Sequence, residues 1–257
     1  MKAVAIIPTY NERENIRELI ALIRSEVSHC DLDVLVVDSA SPDRTGDAVV
    51  QIMEHDSQLF LLRQSAKLGL GVAYQEGMQW ALERGYERII TMDADFSHHP
   101  RYLDQFLQAS ETKDLVVGSR YVSGGELQNW PLARKCLSRF ANWYASKITG
   151  LPLSDLTSGF HCFHGELLRK ILRDPLGAEG YAFLVALKFL AFVNGARYVE
   201  IPIVFSDRTK GESKISKRVI FESILFVWKC FFQRHRLKGA NRAQVSFASA
   251  GHGTIAR

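Results

Sequence analysis

Residues 88–100 read RIITMDADFSHHP. A short apolar run ends, two aspartates follow one residue apart, and Pro100 opens a segment with helical character. Continuous apolar runs of four or five residues suit strands covered on both faces, because neither face then needs a polar side chain. Asp93 and Asp95 therefore stand where a buried strand should emerge. On an extended chain residues i and i+2 point the same way, about 6.6 Å apart along the strand.

Ala3–Ile7, Leu32–Val37, Leu59–Leu62 and Leu115–Val117 repeat the pattern of Arg88–Met92. Between the first two, Ile16, Leu19, Ile20, Ile23 and Val27 recur at helical spacing, with Asn11 expected as the cap and Glu12 and Glu14 in the first turn. The rhythm is βαβαβαβ, so the fold class is α/β, a mostly parallel sheet with helices on both faces. In such sheets ligands bind beyond the carboxyl ends of the strands. Those ends carry Pro8-Thr9-Tyr10-Asn11-Glu12, then Asp38 to Asp43, Lys67 to Gly71, Asp93 to Asp95, and Gly118 to Tyr121. Polar loops are ordinary taken singly. Three acidic loops beside a glycine-rich and an arginine-bearing one on a single rim point to a site.

With 257 residues, 47% of them apolar, the chain can bury a substantial core. The cysteines, Cys30, Cys136, Cys162 and Cys230, are far apart with no CxxC pair and read as reduced thiols. The N-terminus enters a strand-like run too short for a signal sequence. These features favour the cytoplasmic face of a membrane and peripheral attachment. From Asp207 onward 11 Lys and Arg stand against 3 Asp and Glu, whereas the first 206 residues carry 21 against 25. A basic end suits nucleic acid, an anionic membrane or a phosphorylated ligand. Nucleic acid gives no reason for Asp93 and Asp95, and no nucleic-acid motif is present.

Two carboxylates so close repel one another unless something positive sits between them. A hard divalent ion such as Mg²⁺ or Mn²⁺ accepts carboxylate oxygens and fills its shell with phosphate oxygens. A proton shuttle and an Asp-capped turn remain the rival readings of the pair alone.

The ordered set PTYNE, VVDSASPDRT, KLGLGVAY, MDADFSHHP, VVGSRY, TSGFHCF and DRTKGESK resembles the family-2 glycosyltransferases of the GT-A fold, a Rossmann-like nucleotide-diphospho-sugar transferase architecture. Within that family it is most similar to the dolichyl-phosphate and polyprenyl-phosphate mannosyltransferases, over residues 3 to about 220. The resemblance implies transfer of a hexose from a nucleotide diphosphate sugar, GDP-mannose in the nearest subgroup, to a polyprenyl phosphate lipid with Mg²⁺ or Mn²⁺. By the same resemblance Pro8, Tyr10, Glu12 and Asp38 contact the donor nucleotide, and Asp93 and Asp95 hold the metal and the donor diphosphate. Ser97 stands where relatives carry a metal-helping Gln. Arg208 and Lys214 close over the donor phosphates, while Arg120, Arg134 and Ser138 hold the acceptor phosphate. Lys67, with Gly69 and Gly71, is read as a donor-side loop. Relatives commonly have VDDxSPDGT, where this chain has Ser39 for the second Asp and Arg44 for the Gly. The loss of an acidic acceptor bears on base choice, and a UDP-sugar donor or a saccharide acceptor is the alternative.

Residues 1–218 are expected to form the catalytic domain, 219–238 an amphipathic helix at a membrane surface, and 239–257 a flexible tail. Val219–Phe232 is too short to span a bilayer, which needs roughly 20 apolar residues, so attachment at the surface or through a membrane-anchoring partner subunit is expected. Ala182–Val193, broken by Lys188, reads as a core or interface helix. Phe140, Trp143 and Tyr144 read as helix core, His161 to His164 as a structural loop, and Asp155 and Ser158 as either site lining or turn residues.

Overall fold

The computed structural model describes residues 1–173, 180–206 and 228. A seven-stranded sheet runs in the order β3-β2-β1-β4-β7-β5-β8. Its strands are β1 (Ala3–Thr9), β2 (Leu32–Asp38), β3 (Leu59–Arg63), β4 (Arg88–Thr91), β5 (Leu115–Ser119), β7 (His161–His164) and β8 (Tyr198–Pro202). All pairings are parallel except those of β7, which lies antiparallel between β4 and β5. His161 to His164 is thus a strand, where a loop was expected. Period-2 alternation is hidden in HCFH because Cys162 and Phe163 pack on opposite faces and both are apolar.

Six of the described helices lie against the two faces. Val4 and Ile6 of β1 pack with α3 (Leu70–Glu83), α6 (Gly165–Ile171) and α7 (Gly180–Val193), whereas Ala3, Ala5 and Ile7 pack with α1 (Arg13–Glu26), α2 (Thr45–Met53) and α4 (Leu103–Ser110). The strict two-residue alternation of a strand sorts adjacent side chains into two cores. α3 can approach β1 closely only because residue 77 is glycine: a Cβ there would stand 2.6 Å from Cγ2 of Ile6.

The α1 cap differs from expectation. Glu12 occupies the N-cap without a side-chain capping bond, and Asn11 adopts φ 61° one residue earlier. The chain turns at Asn11, one of the few residue types that tolerate the left-handed region, so the helix starts later than the sequence pattern implied. Ile16, Leu19, Ile20 and Ile23 are buried as expected.

The strand order reverses between β1 and β4, since β2 and β3 extend to one side of β1 and β4 to the other. Ligands of open α/β sheets bind at such a switch point. A second, two-stranded sheet pairs β6 (Glu126–Gln128) with β9 (Val204–Ser206). Between β6 and β7 runs α5 (Leu132–Thr149). Of its aromatic stripe Tyr144 packs half-buried against the core, but Phe140 is 57% and Trp143 58% exposed, with Leu132 and Leu137 exposed beside them. Helical spacing marks a shared face but not what covers it. Among the described residues no helix is long and apolar enough to cross a membrane. Cys30, Cys136 and Cys162 are free thiols. Asp207 to Lys214, including Arg208 and Lys214, lies outside the described residues, as do the tail and the 219–238 segment except Trp228. Trp228 Nε1 donates to Tyr144 OH at 2.9 Å, on the flank of α5.

Candidate active site

Thr9 ends β1 directly opposite Asp38 at the end of β2. Thr9 Oγ1 donates to Asp38 Oδ1 at 3.2 Å, and Ser41 Oγ donates to the same oxygen at 2.5 Å, so the buried carboxylate is fixed by hydroxyls of two loops. Glu12 N donates to Thr45 Oγ1 at 3.0 Å, and Glu12 Oε2 accepts from Asn15 Nδ2 at 2.7 Å. Pro8 lies within β1, one residue before this pair. The Lys67 ammonium sits 3.6 Å from the centroid of the Tyr10 ring, a cation–π contact that joins the loops after β1 and β3. Tyr10, Glu12, Asp38 and Lys67 are therefore brought to one rim.

The two departures at the second loop have distinct structural outcomes. Ser39 Oγ donates to Gln64 Oε1 at 2.7 Å, and Gln64 Nε2 donates to Glu76 Oε2 at 2.9 Å, so a hydroxyl–amide–carboxylate chain replaces a second acidic group. Arg44 adopts φ 64° at the N-cap of α2, in the region where glycine carries no Cβ penalty. Arg44 thus keeps a glycine-type backbone.

Asp93 and Asp95 lie past the end of β4, in a turn rather than on extended chain, which corrects the strand geometry expected of the pair. Phe96 at φ 61° makes that turn. Three buried groups hold it. Tyr74 OH donates to Asp93 Oδ1 at 3.2 Å, the Asp93 amide donates to His98 Nδ1 at 2.9 Å, and Ser97 donates both its amide and its hydroxyl to Asp95 Oδ1, at 3.1 and 2.5 Å. Burial holds the His98 imidazole below its ordinary pKa, against the pull of Asp93 and Asp95. The ring is neutral near pH 7, and because Nδ1 accepts, the proton is on Nε2. His98 also stacks on Phe160 and meets Phe205 edge-on, while His99 caps the 3₁₀ turn Pro100–Tyr102. His98 thus supports the turn, and His99 starts the helical segment that follows it.

Two carboxylates with a serine hydroxyl beside one of them form a hard-oxygen donor set, which fits Mg²⁺ or Mn²⁺ and not a soft-ligand metal. Among the described residues no group of three or more His, Cys, Asp or Glu converges on one point. A metal held by Asp93 and Asp95 would complete its shell with water or substrate oxygens.

Beyond Arg120 opens a cleft of about 760 Å³, whose lining includes Arg120, Tyr121, Gly125, Arg139, Asn142 and Trp143 but neither aspartate. Arg120 is buried and bidentate on Asp155, with Nε to Oδ2 and Nη2 to Oδ1 both at 2.7 Å, and its Nη2 also reaches Thr157 Oγ1 at 2.7 Å. Burial would raise the Asp155 carboxyl, but the Arg120 guanidinium overcomes this and holds it below the usual carboxylate range. The adjacent Tyr121 donates its hydroxyl to Ser138 Oγ at 2.6 Å. Arg134 lies 3.7 Å from the Trp130 ring centroid, Trp130 meets Phe205 edge-on, and Phe205 lies under Arg120 at 5.2 Å. Arg120, Arg134 and Ser138 are thereby gathered around one aromatic stack, and His98 ties that stack to the aspartate turn.

Sequence reasoning missed Tyr74, Asn142 and Lys188. Tyr74 reads as one more apolar position on α3 and gives no signal. Asn142 inside an aromatic stripe and Lys188 inside an apolar helix were visible interruptions.

A Rossmann-like sheet with acidic strand-end loops at its switch point, and a cation-bearing cleft alongside, defines a nucleotide-diphospho-sugar transferase of the GT-A type. Residues 4–172 match the Glycosyl transferase family 2 profile, and the chain belongs to that family of glycosyltransferases. It is 42% identical over 227 residues to an undecaprenyl-phosphate mannosyltransferase of Micrococcus luteus, covering 88% of this chain and 93% of the relative. It is 39% identical over 247 residues to a polyprenol monophosphomannose synthase of Mycolicibacterium smegmatis, covering 94% and 92%. A dolichol-phosphate mannosyltransferase of Pyrococcus furiosus is 32% identical over 234 residues, which span 89% of this chain and 63% of that longer protein. The fold resembles glucosyl-3-phosphoglycerate synthase of Mycobacterium tuberculosis, solved with Mn²⁺ and UDP, at a TM-score of 0.63 and 17% identity over 89% of this chain and 80% of that one.

Proposed function

We propose that the protein transfers a hexose, mannose from GDP-mannose in the first instance, to a polyprenyl phosphate by a single inverting displacement. The observation that carries this reading is the pairing of a two-aspartate turn at the β4 end with the cationic cleft beside it. The three mannosyltransferase relatives support the choice of sugar and acceptor.

A divalent ion held by Asp93 and Asp95 would neutralise charge developing on the leaving diphosphate. Tyr74 and Ser97 fix those carboxylates, and His98 the Asp93 backbone, before substrate arrives, which lowers the reorganisation needed in the transition state. Arg208 and Lys214, outside the described residues, are assigned to the donor phosphates, and Tyr10, Glu12, Asp38 and Lys67 to the nucleotide. At the acceptor, a phosphate monoester with a second pKa near 6 arrives already anionic. It needs cations rather than a general base, and Arg120, which lines the cleft, is assigned to hold it together with Arg134 and Ser138 nearby. No covalent enzyme intermediate is required.

A lipid acceptor also calls for contact with a membrane surface. α5 exposes Leu132, Leu137, Phe140 and Trp143 and carries Arg134, Lys135, Arg139 and Lys147 with no acidic residue. A basic, aromatic helix face suits an anionic interface. α5 is thus proposed to lie on the lipid surface beside its own acceptor cleft.

A UDP-sugar donor is the second reading, favoured by the Ser39–Gln64–Glu76 chain where relatives place an acidic acceptor. The test is a panel of radiolabelled GDP-mannose, UDP-glucose and UDP-GlcNAc with a short polyprenyl phosphate, in Mn²⁺ and in EDTA. Label should enter the lipid from GDP-mannose and only with the metal. Label from UDP-glucose alone would replace the sugar assignment, and label from none would sink the transferase reading.

A further inference from the structure

Lys188 is the one charged residue in the otherwise apolar α7, and it is wholly buried. Its ammonium donates to the carbonyls of Ser158 at 2.8 Å, Leu156 at 3.0 Å and Leu184 of its own helix at 3.5 Å. Burial pushes its pKa down to about 7, with Asp155 and Glu200 opposing that fall and Arg120 adding to it. An isolated buried charge costs several kcal/mol, and an unbranched apolar side chain of the same length would avoid that cost. What a lysine adds here is control over where two backbone carbonyls point.

Those carbonyls belong to the 154–158 segment, and the rest of that segment is held as tightly. Glu200 accepts the amides of Ser154 and Asp155 at 2.8 and 3.0 Å, and Asn142 Oδ1 accepts those of Leu156 and Thr157 at 2.7 and 3.2 Å. The two side chains the segment projects, Asp155 and Thr157, are the partners of the Arg120 guanidinium. Amides are fixed from β8 and α5, and the Leu156 and Ser158 carbonyls are bonded from α7 by Lys188, with the His161 imidazole also bearing on the Ser158 backbone.

We propose that Lys188 is a positioning residue for the acceptor: by fixing the Leu156 and Ser158 carbonyls it sets Asp155 and Thr157, and through them aims Arg120 into the cleft. The inference rests on the reading of Arg120 as an acceptor-phosphate group. Lys188 touches no substrate in this scheme. A small rotation of the segment would swing the guanidinium away from its phosphate while leaving the donor loops after β1, β2 and β4 in place.

The test compares wild type with Lys188→Met, which removes the donors, and Lys188→Gln, which keeps an uncharged donor. Two readouts are taken: steady-state KM for a short polyprenyl phosphate and for the nucleotide sugar, and amide hydrogen exchange of residues 154–158. For Lys188→Met the acceptor KM should rise roughly tenfold or more, as misplacement of a binding group by a fraction of an ångström can cause. The donor KM should stay within about twofold, exchange at 154–158 should accelerate, and Lys188→Gln should fall between. Equal rises in both KM values, or an unchanged acceptor KM, would overturn the proposal. If Lys188→Met does not fold, Lys188→Gln decides: a rise confined to the acceptor supports it and wild-type values overturn it. A wild-type protein that labels no lipid would count against the acceptor reading itself. Exchange at 154–158 unaltered in the variants would then still overturn the role of Lys188.

Discussion

Asp155 and Arg120 are both buried and paired, and the Arg120 guanidinium is the main charge acting on the Asp155 carboxylate. Replacing one member of such a pair strands the other, at a typical cost of about 3–5 kcal/mol. Asp155→Asn should lower unfolding stability by that order in denaturant titration, and raise the acceptor KM as well. Arg134 offers the contrast, because it is only half-buried and lies over an indole ring. Arg134→Ala should leave stability within about 1 kcal/mol, as surface substitutions usually do, and act mainly on the acceptor KM. Asp95→Asn should abolish metal-dependent turnover, since removing one preorganised charge-stabilising group costs about 3 to 4 kcal/mol of barrier. Equal loss of donor binding in Asp95→Asn and Arg134→Ala would contradict the division of roles. The aspartates were legible in the sequence because two carboxylates at a strand end are conspicuous. Their supports were not: Tyr74 comes from α3 and meets Asp93 only in the folded chain, and nothing in the sequence shows the His98 ring turning back to the Asp93 amide five residues earlier.

Elements were legible wherever burial on both faces left uninterrupted apolar runs, as in β1, β2 and β4. β7 was hidden because only four residues separate the 154–160 loop from α6, too few to carry a period. α5 shows the opposite difficulty: its spacing gave the helix correctly, but a helical stripe of aromatics looks the same whether it faces a core, a membrane or water. The exposed face makes a direct prediction. Trp143→Ser with Phe140→Ser should weaken sedimentation with anionic vesicles while leaving the unfolding midpoint unchanged or slightly raised; an unfolding loss of core size would mean the stripe is buried after all. Within α3, Gly77→Ala should cost about 1–3 kcal/mol, because its Cβ would meet Ile6 at 2.6 Å.

For the molecule as a whole, the alternation of strands and helices announced a sheet with ligands at its carboxyl edge, and five strand ends do share that edge. Stability against pH follows from the buried charges. The Lys188 pKa, about 7 in the folded protein against an ordinary 10.5, means the folded state holds fewer protons than the unfolded chain between those values. That contribution to stability therefore grows as pH rises from about 7 and is lost as pH falls back towards 7. Asp155, Arg120 and Glu200 shape that value, and the buried His161 imidazole is itself held low by burial and by Lys188. Asp155, held low, adds stability at neutral pH that disappears under acid as its carboxyl protonates. Urea midpoints measured from about pH 7 to 9 should rise in wild type and rise less in Lys188→Met; parallel curves would contradict the buried lysine as the source.

Donor loops, metal turn and cationic cleft together make one central claim, that the nucleophile is a lipid phosphate and not a hydroxyl. The most direct measurement gives the protein a labelled GDP-mannose donor, Mn²⁺, and equal concentrations of a short polyprenyl phosphate, the matching polyprenol and a soluble mannoside. Label confined to the polyprenyl phosphate is the expected result. Label on the polyprenol or the mannoside at a comparable rate would contradict it.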